Sequence, residues 1–295
     1  MCGIVGLFLK TETLRPRLGG LLTDMLITMT DRGPDSAGIA VYGAPQDHKL
    51  TVQSDTPDTV FPALEHWLQE QDATITLRRL DTHAVVSLPA ERAGAIRAAL
   101  AGDFPGLRVM GSGKAMEIFK EVGLPRDVAD RFGLREMAGS HGIGHTRMAT
   151  ESAVTTDGAH PFSTGPDQCL VHNGSLSNHN GLRRTLAREG ITVSSQNDSE
   201  VAAAYLTWKM REGANLGQAL EAGLSDLDGF YTFVVGTETG FGVLRDPVAC
   251  KPAVLAETED YVAFGSEYRA LVDLPGIDTA RVWEPEPATV YFWER

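Results

Sequence analysis

Cys2-Gly3-Ile4-Val5-Gly6-Leu7-Phe8-Leu9 is an unbroken apolar run of strand length, closed by the polar Lys10-Thr11-Glu12. A run this apolar, starting at the second residue, predicts a strand buried in a sheet together with the N-terminus itself. Working outward, Leu18, Leu21, Leu22, Met25, Leu26 and Met29 recur at the spacing of one helix face. Asp31-Arg32-Gly33-Pro34-Asp35 then supplies turn chemistry before the strand Ile39-Ala40-Val41-Tyr42. The opening order is strand, helix, loop, strand.

From residue 44 to residue 139 the pattern changes. Leu50-Val52 reads as strand, Val60, Leu64, Trp67 and Leu68 as a helix face, and Ile75-Leu77 and Val85-Val86 as strands. Ala93, Ile96 and Leu100 mark another helix and Leu107-Arg108-Val109-Met110 another strand, so the block reads β-α-β-β-α-β, the split ferredoxin-like motif. After Gly139 come the strands 142–146 and 169–172, helices near 178–189, 199–211 and 216–227, and short strands at Phe230-Val235, Phe241-Leu244, Ala253-Ala256 and Tyr261-Phe264. The expectation is an α+β chain in which one domain spans 1–295 and carries the 44–139 block as an inserted subdomain.

The 295 residues carry 26 Lys+Arg against 39 Asp+Glu, a net charge of −13 that repels nucleic-acid backbones and anionic membranes. No basic patch offsets it. The apolar runs fall short of the ~20 residues that span a bilayer, and no secretory leader is evident, so a cytoplasmic location is expected. Cys2, Cys169 and Cys250 are too scattered for a disulfide framework or a Cys-x-x-Cys metal site. Gly111-Ser112-Gly113-Lys114-Ala115 lacks the first glycine and the final hydroxyl of a phosphate loop. His141 and His145 flank glycines with no glutamate of the zinc-binding kind between them, so no metal is expected.

Four clusters could carry chemistry. Removal of Met1 would give Cys2 both a thiol and a free α-amine, with reference pKa values of about 8.5 and 7.7–8.0, a nucleophile and a base in one residue; the plainer alternative is a small buried hydrophobe. Arg147 follows a strand end, where its planar fork suits a carboxylate or a structural ion pair. Asn173-Gly174 offers a side-chain amide beside an unhindered backbone N–H, two donors that can form an oxyanion hole and also a common tight-turn signal. Asp198 precedes a helix and can hold a substrate ammonium, or serve with Ser199 as a helix cap. His160, before Pro161, suits a site wall or a structural role equally.

Taken together, Cys2-Gly3-Ile4-Val5-Gly6, Arg32-Gly33-Pro34-Asp35-Ser36-Ala37-Gly38, His145-Thr146-Arg147-Met148-Ala149-Thr150, Ala159-His160-Pro161-Phe162, His172-Asn173-Gly174 and Asp198-Ser199-Glu200 resemble, in content and order, the motifs of class-II glutamine amidotransferases of the N-terminal-nucleophile hydrolase type. Arg245-Asp246-Pro247, Lys251-Pro252 and Gly265-Ser266-Glu267 extend the match. The resemblance implies a four-layer αββα fold. It implies Cys2 as nucleophile, Asn173 and Gly174 as the oxyanion hole, Arg147 on the α-carboxylate of glutamine and Asp198 on its α-ammonium, with Arg32, His160 and Thr150 also at the substrate. Two departures stand out: the enlarged 44–139 block, for which a lid or partner-facing role is expected, and Met148 where the family usually has an aromatic.

With no synthase segment expected after Trp293-Glu294-Arg295, the ammonia acceptor is expected on another polypeptide. The arrangement is similar to stand-alone glutamate-synthase-like subunits, in particular those of N-methylglutamate synthase. That likeness implies no cofactor in this chain, with flavin and an iron–sulfur cluster on partner synthase subunits. Two other readings stand beside it: a catalytically silent structural subunit, and an N-terminal-nucleophile hydrolase of another amide.

Overall fold

The computed structural model describes residues 2–149 and 153–295. The chain opens with β1 (Gly3–Leu9), α1 (Leu18–Thr28) and β2 (Ser36–Tyr42). Next come β3 (His48–Ser54), α2 (Pro57–Gln71), β4 (Thr76–Leu80), β5 (His83–Leu88), α3 (Ala93–Asp103) and β6 (Leu107–Gly113). The main body resumes with β7 (Met116–Val122), α4 (Pro125–Arg131), β8 (His141–Arg147), β9 (Phe162–Gly165) and β10 (Gln168–Leu176). It continues through α5 (His179–Arg188), α6 (Asp198–Arg211), α7 (Leu216–Asp226), β11 (Gly229–Gly236), β12 (Gly240–Arg245), β13 (Val254–Glu257), β14 (Tyr261–Gly265), β15 (Arg281–Trp283) and β16 (Thr289–Glu294).

Two antiparallel sheets face each other. One runs β15-β13-β14-β1-β8-β2-β7 and the other β16-β12-β11-β10-β9. The period-2 alternation of β1 explains how the layers stack. Val5, Leu7 and Leu9 point to α1 and α4, where they join Leu18, Leu22, Leu26 and Phe132, whereas Ile4 and Phe8 point inward to Val171, Val234 and Phe241 of the second sheet. The outer face of that second sheet, with Leu170, Phe233 and Leu244, is covered by Ala203, Leu206 and Leu220 of α6 and α7. The result is the four-layer αββα arrangement. With β14 on one side and β8 on the other, β1 is central, so the chain start is anchored in the middle of the sheet.

Residues 48–113 form a separate four-stranded sheet, ordered β4-β5-β3-β6, with α2 and α3 packing their own core of Leu50, Val52, Phe61, Leu64, Leu68, Ile96 and Leu100. This is the β-α-β-β-α-β order expected from the sequence. The inserted sheet ends at Gly113. Although β7 and α4 fall within the 44–139 block, β7 pairs with β2 from Ser36↔Val122 to Tyr42↔Met116 and α4 packs in the outer helical layer, so both belong to the main layers. The insert covers the otherwise open edge of β7: the Ile118 N–H donates to Thr51 Oγ1 at 3.3 Å, Lys49 pairs with Glu117 at 3.0 Å, and Thr82 Oγ1 donates to Glu121 at 3.0 Å. No helix among the described residues is long and apolar enough to cross a membrane.

Candidate active site

The chain start is held by a converging set of hydrogen bonds. The Cys2 carbonyl accepts from Arg32 Nε at 2.9 Å and from Asn173 Nδ2 at 3.2 Å, and Ile4 exchanges two 2.9 Å bonds with Ser266 through its N–H and C=O. Arg32, nearly buried in the turn after α1, also donates to Glu267 at 2.6 Å, and this pairing holds the Glu267 carboxyl below the usual range. Arg32 therefore lies behind Cys2 and positions it from the protein side.

In front of Cys2 opens a cleft of about 940 Å³. Arg147, His160, Asn173, Gly174 and Asp198 line it with Cys2, so the structure brings these sequence-selected residues to one place. Thr150 lies outside the described residues. The ends of β1, β8 and β10, the loop 153–161 and the start of α6 form the walls. Sequence reasoning passed over several other wall residues, among them Asp157, His172, His179, Ser195, Phe230 and Lys251. His172 and Lys251 occurred inside recognised motifs, but nothing in a lone sequence distinguishes a wall histidine from a core one.

Local packing explains the motif glycines. Gly174 has φ +151, a conformation that L side chains rarely adopt, and a Cβ there would sit 2.0 Å from the Phe230 carbonyl oxygen. At Gly38 a Cβ would sit 1.9 Å from the His160 carbonyl oxygen, so its absence lets the 153–161 loop lie against β2. The same loop is held from below by Lys120 Nζ, which donates to the carbonyls of Asp157, Ala159 and Pro161 at 3.3, 2.8 and 3.3 Å. Arg147 Nη1 reaches the Ala153 carbonyl at 3.3 Å. The turn after Arg32 is fixed too: the Asp35 N–H donates to the Arg147 carbonyl at 3.1 Å, and Asp35 Oδ2 accepts from the Ala149 N–H at 2.8 Å.

Three buried imidazoles stand at the back of the cleft. His145 stacks on His160 with ring centres 4.0 Å apart, and its Nε2–H donates to the His172 carbonyl at 3.1 Å. Burial drives His145 down to about 3 and His172 to about 4, the latter despite the Asp198 carboxylate, while burial and then the neighbouring imidazoles place His160 well below the usual range. All three are neutral at physiological pH, so among the described residues the charged side chains lining the cleft are Arg147 and Lys251 against Asp157 and Asp198. A cation and a carboxylate facing one cleft with a thiol and an amide donor suit a free amino acid bearing a cleavable side-chain amide.

Fold and cleft define a class-II, N-terminal-nucleophile-type glutamine amidotransferase. The comparisons agree: residues 145–273 match the glutamine amidotransferase domain model. The chain is 66% identical, over its full length and 98% of the relative, to the glutamine amidotransferase-like protein GlxB of Rhizobium meliloti (strain 1021). It is 32% identical, over the full length of both, to a putative glutamine amidotransferase of Methanothermobacter thermautotrophicus. The chain belongs to the glutamine amidotransferase family. Among solved structures, the glutamine phosphoribosylpyrophosphate amidotransferase of B. subtilis shares the fold at TM-score 0.63 and 20% identity, matching 99% of this chain and 47% of that one.

Proposed function

We propose that Cys2, once Met1 is removed, is the nucleophile of a glutaminase that supplies ammonia to a separate synthase. The observation that carries this reading is the convergence of Cys2, Arg147, Asn173, Gly174 and Asp198 on one cleft. Arg147 holds the α-carboxylate and Asp198 the α-ammonium, which places the side-chain amide at Cys2 Sγ. The freed α-amine takes the thiol proton through a water, and the thiolate adds to the amide carbon. Negative charge develops on the amide oxygen, where the Asn173 side chain and the Gly174 N–H donate to it. The ammonium formed at the α-amine returns its proton to the leaving nitrogen, ammonia departs, and water hydrolyses the resulting thioester to glutamate.

The acceptor in this proposal is a glutamate-synthase-like partner, specifically the flavin- and iron–sulfur-bearing subunits of an N-methylglutamate synthase, which would use the nitrogen on 2-oxoglutarate or glutamate. Support for the stand-alone arrangement comes from two relatives that this chain matches over 98% and 100% of their own length. Glutamate release from glutamine, measured with and without candidate synthase subunits, tests the reading. The expected result is release that is lost in Cys2→Ala; equal release by Cys2→Ala would overturn it.

A further inference from the structure

A chain of hydrogen bonds runs from β10 to Asp198 at the start of α6, and the chemistry above gives no role to two of its members, His172 and Ser199. His172 Nδ1 lies 2.9 Å from Ser199 Oγ, Ser199 Oγ lies 3.5 Å from Asp198 Oδ1, and Asp198 Oδ2 accepts from the Leu176 N–H at 2.8 Å. A carboxylate only accepts, so the Ser199 hydroxyl donates to Asp198 and its lone pair takes the Nδ1–H of His172. That assignment leaves His172 Nε2 bare, and Nε2 has no partner among the described residues. The His172 ring stands edge-on to Phe233 with centres 4.9 Å apart, and its carbonyl is held by His145.

We propose that His172 is a positioning residue which, through Ser199, orients the Asp198 carboxylate toward the α-ammonium of the substrate and so sets the preference for a free amino acid. The inference rests on the proposed role of Asp198 in the glutaminase site. Two features favour it over a purely structural histidine. The bonds lead into the cleft, ending on a carboxylate that lines it. The imidazole is also kept neutral by burial, so it orients Asp198 without competing with the substrate cation for it. A protonated His172, 3.8 Å from Asp198 Oδ1, would form an internal ion pair and weaken the hold on an ammonium.

The test is calorimetric binding to the full chain carrying Cys2→Ala, with two probes: glutamine, and glutaramate, which keeps the amide and one carboxylate and lacks the α-ammonium. In this background His172→Phe and Ser199→Ala should each weaken glutamine binding roughly tenfold, the loss expected for a hydrogen bond to a charged group, and leave glutaramate unchanged. His172→Asn, whose Nδ2–H can replace Nδ1–H, should restore glutamine affinity to within about threefold of the parent. Equal weakening of both probes in Ser199→Ala and His172→Asn, or no weakening of either in His172→Phe, would overturn the proposal. If the parent binds glutamine no better than glutaramate, the role given to Asp198 fails instead; if Asp198→Asn alone abolishes the preference, only the His172 proposal fails.

Discussion

Five of the eight histidines, His83, His141, His145, His160 and His172, are buried and held neutral in the folded protein, and this predicts steep acid destabilisation. Burial takes His83, His141 and His145 down to about 3 and His172 to about 4, and lowers His160 strongly, against an unfolded value of 6.5. The folded values are depressed for groups that are neutral when deprotonated, so between 6.5 and the folded values the unfolded chain binds more protons. Stability is therefore present above about pH 6.5 and is lost as pH falls below it. His83, His141, His145 and His172 each cost about 2 kcal/mol between pH 7 and pH 5, and His160 adds to the loss in the same direction, so the total is comparable to the whole stability of an ordinary fold. Urea unfolding followed by tryptophan fluorescence at pH 7, 6 and 5 measures this loss. His83→Leu, in the insert and away from the cleft, should recover roughly 1 kcal/mol per pH unit of the slope across the lower part of that range. A free energy of unfolding that stays within about 2 kcal/mol between pH 7 and pH 5 would refute the reasoning, because that allows no more than one such histidine.

Three further predictions concern the cleft. Gly174→Ala, with its Cβ against the Phe230 carbonyl, should lower glutamine hydrolysis by roughly 100-fold or more by distorting the oxyanion strand, and steady-state rates on folded protein check it. Removing Arg32 deprives the Cys2 carbonyl of a charge-assisted donor and leaves Glu267 partly unpaired, so Arg32→Ala should reduce kcat roughly 10- to 100-fold, with a smaller change in KM. Arg108 of the insert contacts Asp157 on the cleft wall at 3.2 Å, so Arg108→Ala should raise KM for glutamine up to about fivefold with kcat unchanged; a KM that does not move would remove this link between insert and site.

The legible parts of this protein were those written in local patterns. The unbroken apolar run from Cys2 to Leu9 showed a strand buried in a sheet, and the helical spacing from Leu18 to Met29 showed the helix that follows it. The insert order also followed from short apolar runs and the turns between them. Its limit was harder to see, because whether β7 joins the inserted or the main sheet depends on pairing with Ser36–Tyr42, a contact across more than 70 residues that no local pattern carries. Seven-residue α4 and three-residue β15 were too short to show a period. At the cleft, residues with distinctive chemistry at loop and strand ends could be picked out, including Cys2, Arg147, Asn173, Gly174 and Asp198. The role of Arg32 as a donor to the Cys2 carbonyl, and the His172–Ser199–Asp198 chain, depend on side-chain geometry between distant segments and were invisible until the layers were assembled.

The central claim is that Cys2, with a free α-amine, attacks the side-chain amide of glutamine. Intact-mass spectrometry of the purified protein, alone and mixed with candidate synthase subunits, before and after a glutamine-analogue electrophile, tests it most directly. The account predicts a chain lacking Met1 that gains a single adduct on Cys2, with the adduct suppressed by excess glutamine. A chain that retains Met1 and gains no adduct in either state would contradict it.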